Sequence, residues 1–412
     1  MSQDALGWTV RWSLDTEAGC SYDSQVMVEA RRSQETASRI EQAFVSGDRV
    51  STYTHNLYRY PARFSPQIAR AAIEAFTDEG ELVLDPFVGG GTSAVEAFAL
   101  RRRFLGSDIN SLAVLVARAK TQLLRDGEFG VLEDWLQSAK RAEGIPVDGM
   151  EGDPRLGNAP AHLVEALAPF VRGAAAIEDS RTQDAARLIL LDVGQWAVDG
   201  RDAELDIEAI RSALRGSLSR LRSGLVELEA SSGGTADAPE LVLGPAQTVM
   251  DQATGTTGGR VALVLTSPPY PGVHVLYHRW QVRGRRETGL PYWLSDTRDG
   301  AGPSFYMMGS RNTILGELNY FTTAATIWRG VRELLRPGGM VVQVIAFADA
   351  DRQLPKYLDV MATAGFVRRA DLEPSDWRNV PNRRWYNRIK PDRATGRELL
   401  LVHEADSGGP SA

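Results

Sequence analysis

One segment of the chain combines an acid with three consecutive glycines, Asp85-Pro86-Phe87-Val88-Gly89-Gly90-Gly91-Thr92. It directly follows the apolar run Leu82-Val83-Leu84, which is typical of a buried strand. Glycines at that point let the backbone turn sharply and approach a ligand without a clash from Cβ. Asp108 stands about twenty residues further on, which fits the loose dinucleotide-binding pattern, and no lysine follows the glycines as in a nucleoside-triphosphatase loop. The segment predicts a cofactor-binding turn, with a plain strand-to-helix turn as the alternative.

A second segment, Thr266-Ser267-Pro268-Pro269-Tyr270, follows an apolar strand pattern. Its two prolines fix the backbone just past the carboxyl end of that strand, where open α/β sheets bind ligands. Proline donates no hydrogen bond, so nearby carbonyls and the Ser267 hydroxyl are left as acceptors, and the Tyr270 ring can stack on a base. Such acceptors suit an exocyclic amine, because pulling on its N–H groups in the transition state favours the reactive, localised lone pair. A proline-stiffened turn is the alternative.

The surrounding sequence predicts the elements that position these two segments. Short apolar runs predict strands at 81–85, 104–108, 241–243, 261–265 and 339–345. Helical patterns separate the first three strands, and this alternation is the order of a parallel, doubly wound α/β sheet. Residues 366–372 and 398–403 predict an antiparallel hairpin that completes the sheet. Between 125 and 239 the apolar residues keep helical spacing, which predicts a large helical insertion.

The pair of segments resembles the S-adenosylmethionine-dependent amino-methyltransferases of DNA, specifically the SPPY type associated with methylation of cytosine N4. The resemblance implies a Rossmann-like class I methyltransferase sheet, mostly parallel and with an antiparallel C-terminal hairpin. It also implies that the glycine segment binds S-adenosylmethionine and that the double-proline segment binds a base flipped out of the DNA.

The resemblance further implies a role for individual residues. The implied catalytic residues are Ser267, Pro268, Pro269 and Tyr270. The implied cofactor-binding residues are Tyr60, Phe64, Asp85, Pro86, Phe87, Gly89, Gly91, Thr92, Asp108, Ile109 and Asn110. Asp108 matches the acid that binds the cofactor ribose, with Ile109 and Asn110 beside the adenine. At the third strand the family often carries an acid that contacts the adenine, and this chain has Pro245 there.

The expected domain organisation follows from these assignments. Residues 1–53 form an N-terminal extension, 54–124 and 240–403 form the methyltransferase catalytic domain, and 404–412 form a flexible tail. Residues 125–239 form the helical insertion, for which target recognition and partner binding are the candidate roles.

Charge distribution indicates where DNA would bind. The chain has 46 basic and 53 acidic residues and a net charge of −7, so a nucleic-acid surface must be a local patch. Basic residues interleaved with aromatic ones after the second segment can contact phosphates and stack on bases. The predicted nucleic-acid-binding residues are His278, Arg279, Trp280, Arg283, Arg285 and Arg286, with Arg383 and Arg384 in a second basic stretch.

Cysteine content narrows the chemistry. Cys20 is the single cysteine, which excludes a disulfide framework and a cysteine-rich metal site, and no metal is expected. Methylation at cytosine C5 needs a thiolate in the catalytic loop, and Cys20 lies far upstream. The chain shows no apolar leader and no membrane-length apolar run, so the expectation is a cytoplasmic protein with no membrane partner.

Cytosine N4 is the favoured acceptor, and three alternatives stay open. The first is methylation of adenine N6, which presents the same kind of amine. The second is a non-catalytic subunit that binds S-adenosylmethionine or DNA for another chain. The third, a nicotinamide dehydrogenase, is supported only by the glycine turn and Asp108. The expected partner is DNA, with a cognate restriction endonuclease as a further candidate in a restriction–modification pair.

Overall fold

The main element of the fold is a mixed, eight-stranded sheet. The computed structural model describes residues 17–46, 48, 50–60, 64–141, 152–198, 205–234, 237–250, 260–271, 279–282, 286–298, 308–309, 313–379 and 397–406. The strands within these residues are β1 (Leu82–Asp85), β2 (Arg103–Asp108), β3 (Glu240–Leu243), β4 (Val261–Thr266), β5 (Trp280–Val282), β6 (Arg286–Thr288), β7 (Leu335–Ile345), β8 (Phe366–Arg368), β9 (Arg378–Asn379) and β10 (Arg397–Ala405).

The strand order confirms the predicted Rossmann-like architecture. Across the sheet the order is β3-β2-β1-β4-β7-β10-β8, and β9 pairs with one end of β10. The first five strands of this order are parallel, and β10 runs antiparallel to both of its neighbours, β7 and β8. Every residue of β1 and β4 is buried, as expected for short apolar strands that are covered by helices on both faces. β5 and β6 form a separate antiparallel hairpin.

The direction of strand succession reverses between β1 and β4. From β1 the chain proceeds to β2 and β3 on one side, and β4 adds to the other side of β1. Leu84 is paired with Leu105 of β2 and with Val264 of β4. The carboxyl ends of the three strands therefore lie side by side, and such a reversal is where open α/β sheets bind their ligands.

Helices cover both faces of this sheet. Within the described residues they are α1 (Glu17–Val45), α2 (Pro66–Phe76), α3 (Thr92–Ala99), α4 (Ser111–Thr121), α5 (Asp126–Arg141), α6 (Ala161–Ala175), α7 (Ser180–Val198), α8 (Ile207–Ser232), α9 (Leu290–Leu294), α10 (Thr313–Leu334) and α11 (Ala350–Thr363). Helices α5 to α8 form the insertion that the apolar spacing between 125 and 239 predicts.

The insertion packs directly on the helices that cover the sheet. Val95 and Phe98 of α3, Leu115 of α4, Leu188 of α7 and Leu221 of α8 belong to one buried cluster. Burying side chains of this size together stabilises each of them by about 1.5–3 kcal/mol relative to exposure. The inserted helices and the sheet-covering helices therefore share a single hydrophobic core.

Two boundaries differ from the expectations. The flexible tail was expected from residue 404, but Glu404 and Ala405 continue β10, and Ala405 is buried opposite Phe366. β10 extends to Ala405 because its last residues pair with the edge strand β8. The strand expected at 339–345 also begins earlier, at Leu335, which pairs with Val261 before a register shift.

Candidate active site at the carboxyl ends of β1 and β4

One buried hydrogen bond joins the two segments that the sequence singles out. The Thr266 hydroxyl, at the end of β4, donates to Asp85 Oδ1, at the end of β1, over 2.6 Å. Both side chains are fully buried. The glycine segment and the double-proline segment therefore leave the sheet at the same edge.

Asp85 stabilises the glycine turn through several further bonds. Its carboxylate accepts the Phe87 backbone N–H at 3.0 Å and the hydroxyl of Ser93 in α3. Burial raises the pKa of Asp85 to about 6, and the hydrogen bonds from Ser93 and Thr266 oppose this rise. Both carboxylate oxygens are engaged by the protein itself, so Asp85 shapes the turn rather than presenting a free acceptor to a ligand.

The turn itself needs glycine at two positions for steric reasons. Gly91 is the N-cap of α3, has φ +79°, and a Cβ added there would lie 2.8 Å from the backbone Cα of Ala117 in α4. A Cβ added at Gly90 would lie 2.6 Å from Cβ of Tyr60. Because real Cβ atoms do not approach other carbons this closely, these glycines allow α4 and the Tyr60 loop to contact the turn.

Asp108 joins the end of β2 to the same turn. Its carboxylate accepts the backbone N–H of Gly89 at 3.0 Å and that of Asn110 at 2.9 Å. Burial raises the pKa of Asp108 to about 6. Unlike Asp85, Asp108 is partly exposed, and its neighbour Ile109 is also partly exposed. This carboxylate can therefore accept a further hydrogen bond from a ligand.

Tyr60 and Asn110 are linked to each other beside the glycine turn. Asn110 is buried, and its side-chain N–H donates to the Tyr60 hydroxyl at 3.0 Å. Its side-chain oxygen caps α4 by accepting the Leu112 N–H, and it also accepts the Tyr292 hydroxyl at 3.3 Å. Asn110 thus holds α4 and the Tyr60 side chain in place beside the turn. It was predicted to lie beside an adenine, but its side chain is buried and bonded within the protein.

The other predicted cofactor residues divide into exposed and buried groups. Phe87 and Gly89 remain partly exposed at the turn. Pro86 and Thr92 are buried at the strand end and the helix start. Phe64 is buried in the core cluster that contains Val88, so it supports the turn from within the protein.

The double-proline segment is anchored on both sides. The Pro269 carbonyl accepts the hydroxyl of Tyr320 in α10 at 2.7 Å. The Tyr270 hydroxyl donates to Glu398 of β10 at 3.0 Å, and the Ser267 and Tyr270 hydroxyl oxygens are 3.2 Å apart. Ser267 and Tyr270 are both partly exposed, so the segment presents a hydroxyl and an aromatic ring from a fixed backbone.

The predicted DNA-contacting residues are only partly within the described residues. Trp280 is 5% exposed, and its indole N–H donates to the Tyr58 hydroxyl at 3.3 Å, so its predicted stacking on a base is wrong. Its ring turns inward from β5 and fills the space beside Gly194 of α7. Arg286 is exposed and Arg279 partly exposed. The residues that lie outside the described ones are His278, Arg283, Arg285, Arg383 and Arg384.

Sequence reasoning missed a buried lysine behind the turn. Lys120 of α4 is 2% exposed, and its ammonium donates to the carbonyls of Gly90 and Tyr58, each at 3.3 Å. The available signal was a lysine directly after the largely apolar stretch 112–119. Because a buried ammonium needs acceptors, Lys120 ties the glycine turn to the loop that carries Tyr60.

Part of the chain is similar to known DNA methyltransferases. Residues 19–118 match a family model described as DNA methylase, which covers N6 and N4 methyltransferases. The chain is 41% identical over 71 residues to the type II methyltransferase M.MvaI of Kocuria varians, a match that spans 16% of this chain and 16% of that enzyme. It is 38% identical over 64 residues to the type II methyltransferase M2.DpnII of Streptococcus pneumoniae, across 16% of this chain and 24% of that enzyme. The likeness to DNA methylases is thus shown for residues 19–118 of this 412-residue chain.

Among solved structures, TrmN from Thermus thermophilus aligns over 83% of this chain and 49% of its own, at 13% identity and a TM-score of 0.31. The sequence matches to the curated enzymes cover less than a quarter of their lengths. Within the described residues, no helix has the length and apolar character needed to cross a bilayer.

S-adenosylmethionine is the cofactor that the likeness to DNA methylases implies. The turn fits this molecule: Asp108 offers a partly exposed acceptor suited to ribose hydroxyls, and Phe87 and Ile109 offer partly exposed apolar surfaces suited to an adenine. Gly89, at φ +50°, keeps the backbone between them free of a side chain.

Proposed function

We propose that this protein methylates an exocyclic amine of a DNA base, with cytosine N4 as the preferred acceptor. The observation that carries the proposal is the bond between Thr266 and Asp85, because it places the cofactor turn beside the double-proline segment. When bound, S-adenosylmethionine supplies an electrophilic methyl group. Residues of the chain bind the cofactor and orient the base amine toward this methyl group.

The double-proline segment would orient the acceptor amine. Ser267 Oγ and the Pro268 carbonyl accept the two N–H groups, which holds the nitrogen lone pair toward the cofactor turn. The Tyr270 ring stacks on the base, which must leave the helix at a cost of a few kcal/mol for unstacking. The anchoring of Pro269 by Tyr320 fits this role, since a rigid segment loses little freedom when the base binds.

The cofactor turn would bind its ligand through backbone and carboxylate groups. Asp108 accepts ribose hydroxyls, Phe87 and Ile109 flank the adenine, and the fixed turn at Gly89 lets the ligand approach the backbone. Exposed Arg286 and partly exposed Arg279 would contact phosphates of the DNA beside this site.

Methyl transfer by the purified chain tests this proposal. The chain is incubated with methyl-labelled S-adenosylmethionine and genomic DNA of mixed sequence, and the DNA is digested to nucleosides for mass spectrometry. N4-methyldeoxycytidine is the expected product, and N6-methyldeoxyadenosine would move the acceptor to adenine. Absence of label in DNA, with S-adenosylmethionine bound, would instead favour a non-catalytic subunit. Binding of NAD in place of S-adenosylmethionine would favour a dehydrogenase.

The likeness to type II methyltransferases also suggests a biological setting. We propose that the chain protects DNA from a cognate restriction endonuclease that recognises the same sequence. Sequencing of modified bases in a host that expresses the chain gives that sequence, and the endonuclease should then fail to cut the modified DNA. Cleavage of fully modified DNA would contradict the pairing.

A further inference from the structure

A buried acid contacts the tyrosine of the double-proline segment. Glu398 lies on β10 and is 4% exposed. One of its carboxylate oxygens accepts the Tyr270 hydroxyl at 3.0 Å, and the other accepts the guanidinium of Arg378 at 2.7 Å. Arg378 also lies over the Phe44 ring, 5.0 Å from its centroid, and donates to the Phe44 carbonyl at 3.3 Å. The carboxylate therefore binds both a cation and a tyrosine hydroxyl.

This contact determines the direction of the hydrogen bonds at the site. A phenol has one proton, and that of Tyr270 is donated to Glu398. In the close pair between Tyr270 and Ser267, the hydroxyl of Ser267 must then be the donor. With its proton turned toward Tyr270, Ser267 Oγ has only lone pairs left for other partners.

We propose that Glu398 is a positioning residue that makes Ser267 an acceptor for the substrate amine and fixes the Tyr270 ring. The proposal rests on the proposed methylation of a base amine, which presents N–H donors to Ser267. A ring held at both its backbone and its hydroxyl cannot change rotamer without breaking a bond. Glu398 thus fixes the orientation of the Tyr270 ring and also makes Ser267 Oγ an acceptor.

The variant Glu398→Gln separates polarity from packing. The glutamine amide has the same shape but a single oxygen, and the charged Arg378 is the stronger donor for that oxygen. The amide N–H₂ group would then face Tyr270, which must accept and donate its own proton to Ser267. Ser267 loses its acceptor character toward the amine while the packing around residue 398 is retained.

Steady-state kinetics give the first test, with wild type, Glu398→Gln, Tyr270→Phe and the double variant. We expect kcat to fall on the order of 100-fold in each single variant, at the lower end of the range for losing one transition-state hydrogen bond. The KM for S-adenosylmethionine should stay unchanged, and the double variant should be no slower than Tyr270→Phe alone, because both changes break one chain of bonds. Glu404→Gln is the matched control, since Glu404 lies on the same strand and pairs with Arg369.

The kinetic outcomes are decisive in either direction. The proposal would be overturned if Glu398→Gln has the same melting temperature as the Glu404→Gln control and keeps the wild-type kcat. If Glu398→Gln does not fold, Tyr270→Phe decides, because it removes the hydroxyl and leaves the pair of Glu398 and Arg378 intact. An unchanged kcat in folded Tyr270→Phe would also overturn it.

A second readout does not depend on methyl transfer. In protein labelled with 3-fluorotyrosine, the fluorine resonance of Tyr270 is assigned by its loss in Tyr270→Phe. We expect this resonance to shift or broaden in Glu398→Gln and to stay in place in Glu404→Gln. If the wild-type chain methylates no DNA but the Tyr270 resonance still shifts in Glu398→Gln, the proposed function is refuted and the contact between Glu398 and Tyr270 stands. An identical resonance in Glu398→Gln would refute the positioning role.

Discussion

The Thr266 hydroxyl and the Asp85 carboxylate form a 2.6 Å hydrogen bond between adjacent strands, although the two residues are 181 positions apart in the chain. The ends of β1 and β4 can separate only if this bond breaks, and neither partner can take a water molecule in exchange because both are buried.

Replacing this threonine by an isosteric valine tests the bond. Thr266→Val removes the donor and leaves Asp85 Oδ1 short of one partner, so the free energy of unfolding should fall by about 1–3 kcal/mol. The methyl-transfer rate should fall as well, because the two segments lose their connection. Urea unfolding and single-turnover kinetics measure the two effects. Thr121→Val is the control: its hydroxyl bonds the Ala117 carbonyl within α4, so stability should fall without a change in rate.

Gly91→Ala should damage the cofactor turn by a contact as well as by backbone strain. The new Cβ would lie 2.8 Å from the Ala117 backbone, at a residue with φ +79°. Gly80→Ala is matched to it, since Gly80 has φ +78° and nothing within 4 Å of the added Cβ. Strain alone costs about 1 kcal/mol, so we expect that loss in Gly80→Ala and a clearly larger one in Gly91→Ala. Equal losses by thermal or urea unfolding would rule out the contact.

Cofactor affinity should weaken as the pH falls through 6. Burial raises the pKa of Asp108 to about 6, so the carboxyl is ionised above this pH and protonated below it. An ionised carboxylate is the better acceptor for ribose hydroxyls, so binding is favoured on the alkaline side. Calorimetry with S-adenosylmethionine at several pH values between about 5 and 8 measures the trend. Asp108→Asn should bind weakly with a flatter profile, and an unchanged profile in that variant would assign the titration to another group.

Lys120→Met should weaken cofactor binding without touching the cofactor. The change removes the ammonium donor from the Gly90 and Tyr58 carbonyls. The Tyr58 carbonyl keeps the Tyr60 backbone N–H, so the larger loss is at Gly90, where a buried acceptor short of a partner costs about 1–3 kcal/mol. The turn and the Tyr60 loop then lose their common anchor, so the Kd for S-adenosylmethionine should rise. Lys356→Met, at an exposed pair with Glu317, is the control and should bind normally. Normal binding by a folded Lys120→Met protein would refute the anchoring role.

Trp280 and Arg286 should separate stability from DNA binding. Trp280→Ala empties a buried site, for which about 3–5 kcal/mol of stability is the usual loss. Arg286→Ala changes an exposed residue, so the melting temperature should stay the same. The slope of the logarithm of DNA affinity against the logarithm of salt concentration should decrease by about 1, as for the loss of one phosphate contact. Salt titrations of DNA binding, with thermal melts of both proteins, distinguish these effects. Unaltered DNA binding in Arg286→Ala would remove that arginine from the interface.

The sequence predicts well those features that arise from local rules. A buried apolar run followed by glycines at Gly89 and Gly91 indicates a strand and a turn, and the proline pair marks the end of β4. The contacts of Glu398 with Tyr270 and of Lys120 with Gly90 could not be read in this way, because each joins residues far apart in the chain. Trp280 was misassigned for a related reason. The local sequence is the same whether the ring of an aromatic residue among arginines faces the solvent or the interior, so composition does not reveal its orientation.

The loop that carries Tyr60 obtains its backbone partners from the insertion. Asp192 and Gln195 of α7 accept the N–H groups of Tyr58 and Arg59, each at 2.9 Å, and the Gln195 amide returns a bond to the Arg59 carbonyl. Excising α5 to α8 would therefore remove the hydrogen-bond partners of the backbone at Tyr58 and Arg59, which leads into the Tyr60 side of the glycine turn. Engineering of this scaffold must therefore keep those four helices together with the sheet rather than treat them as a removable module.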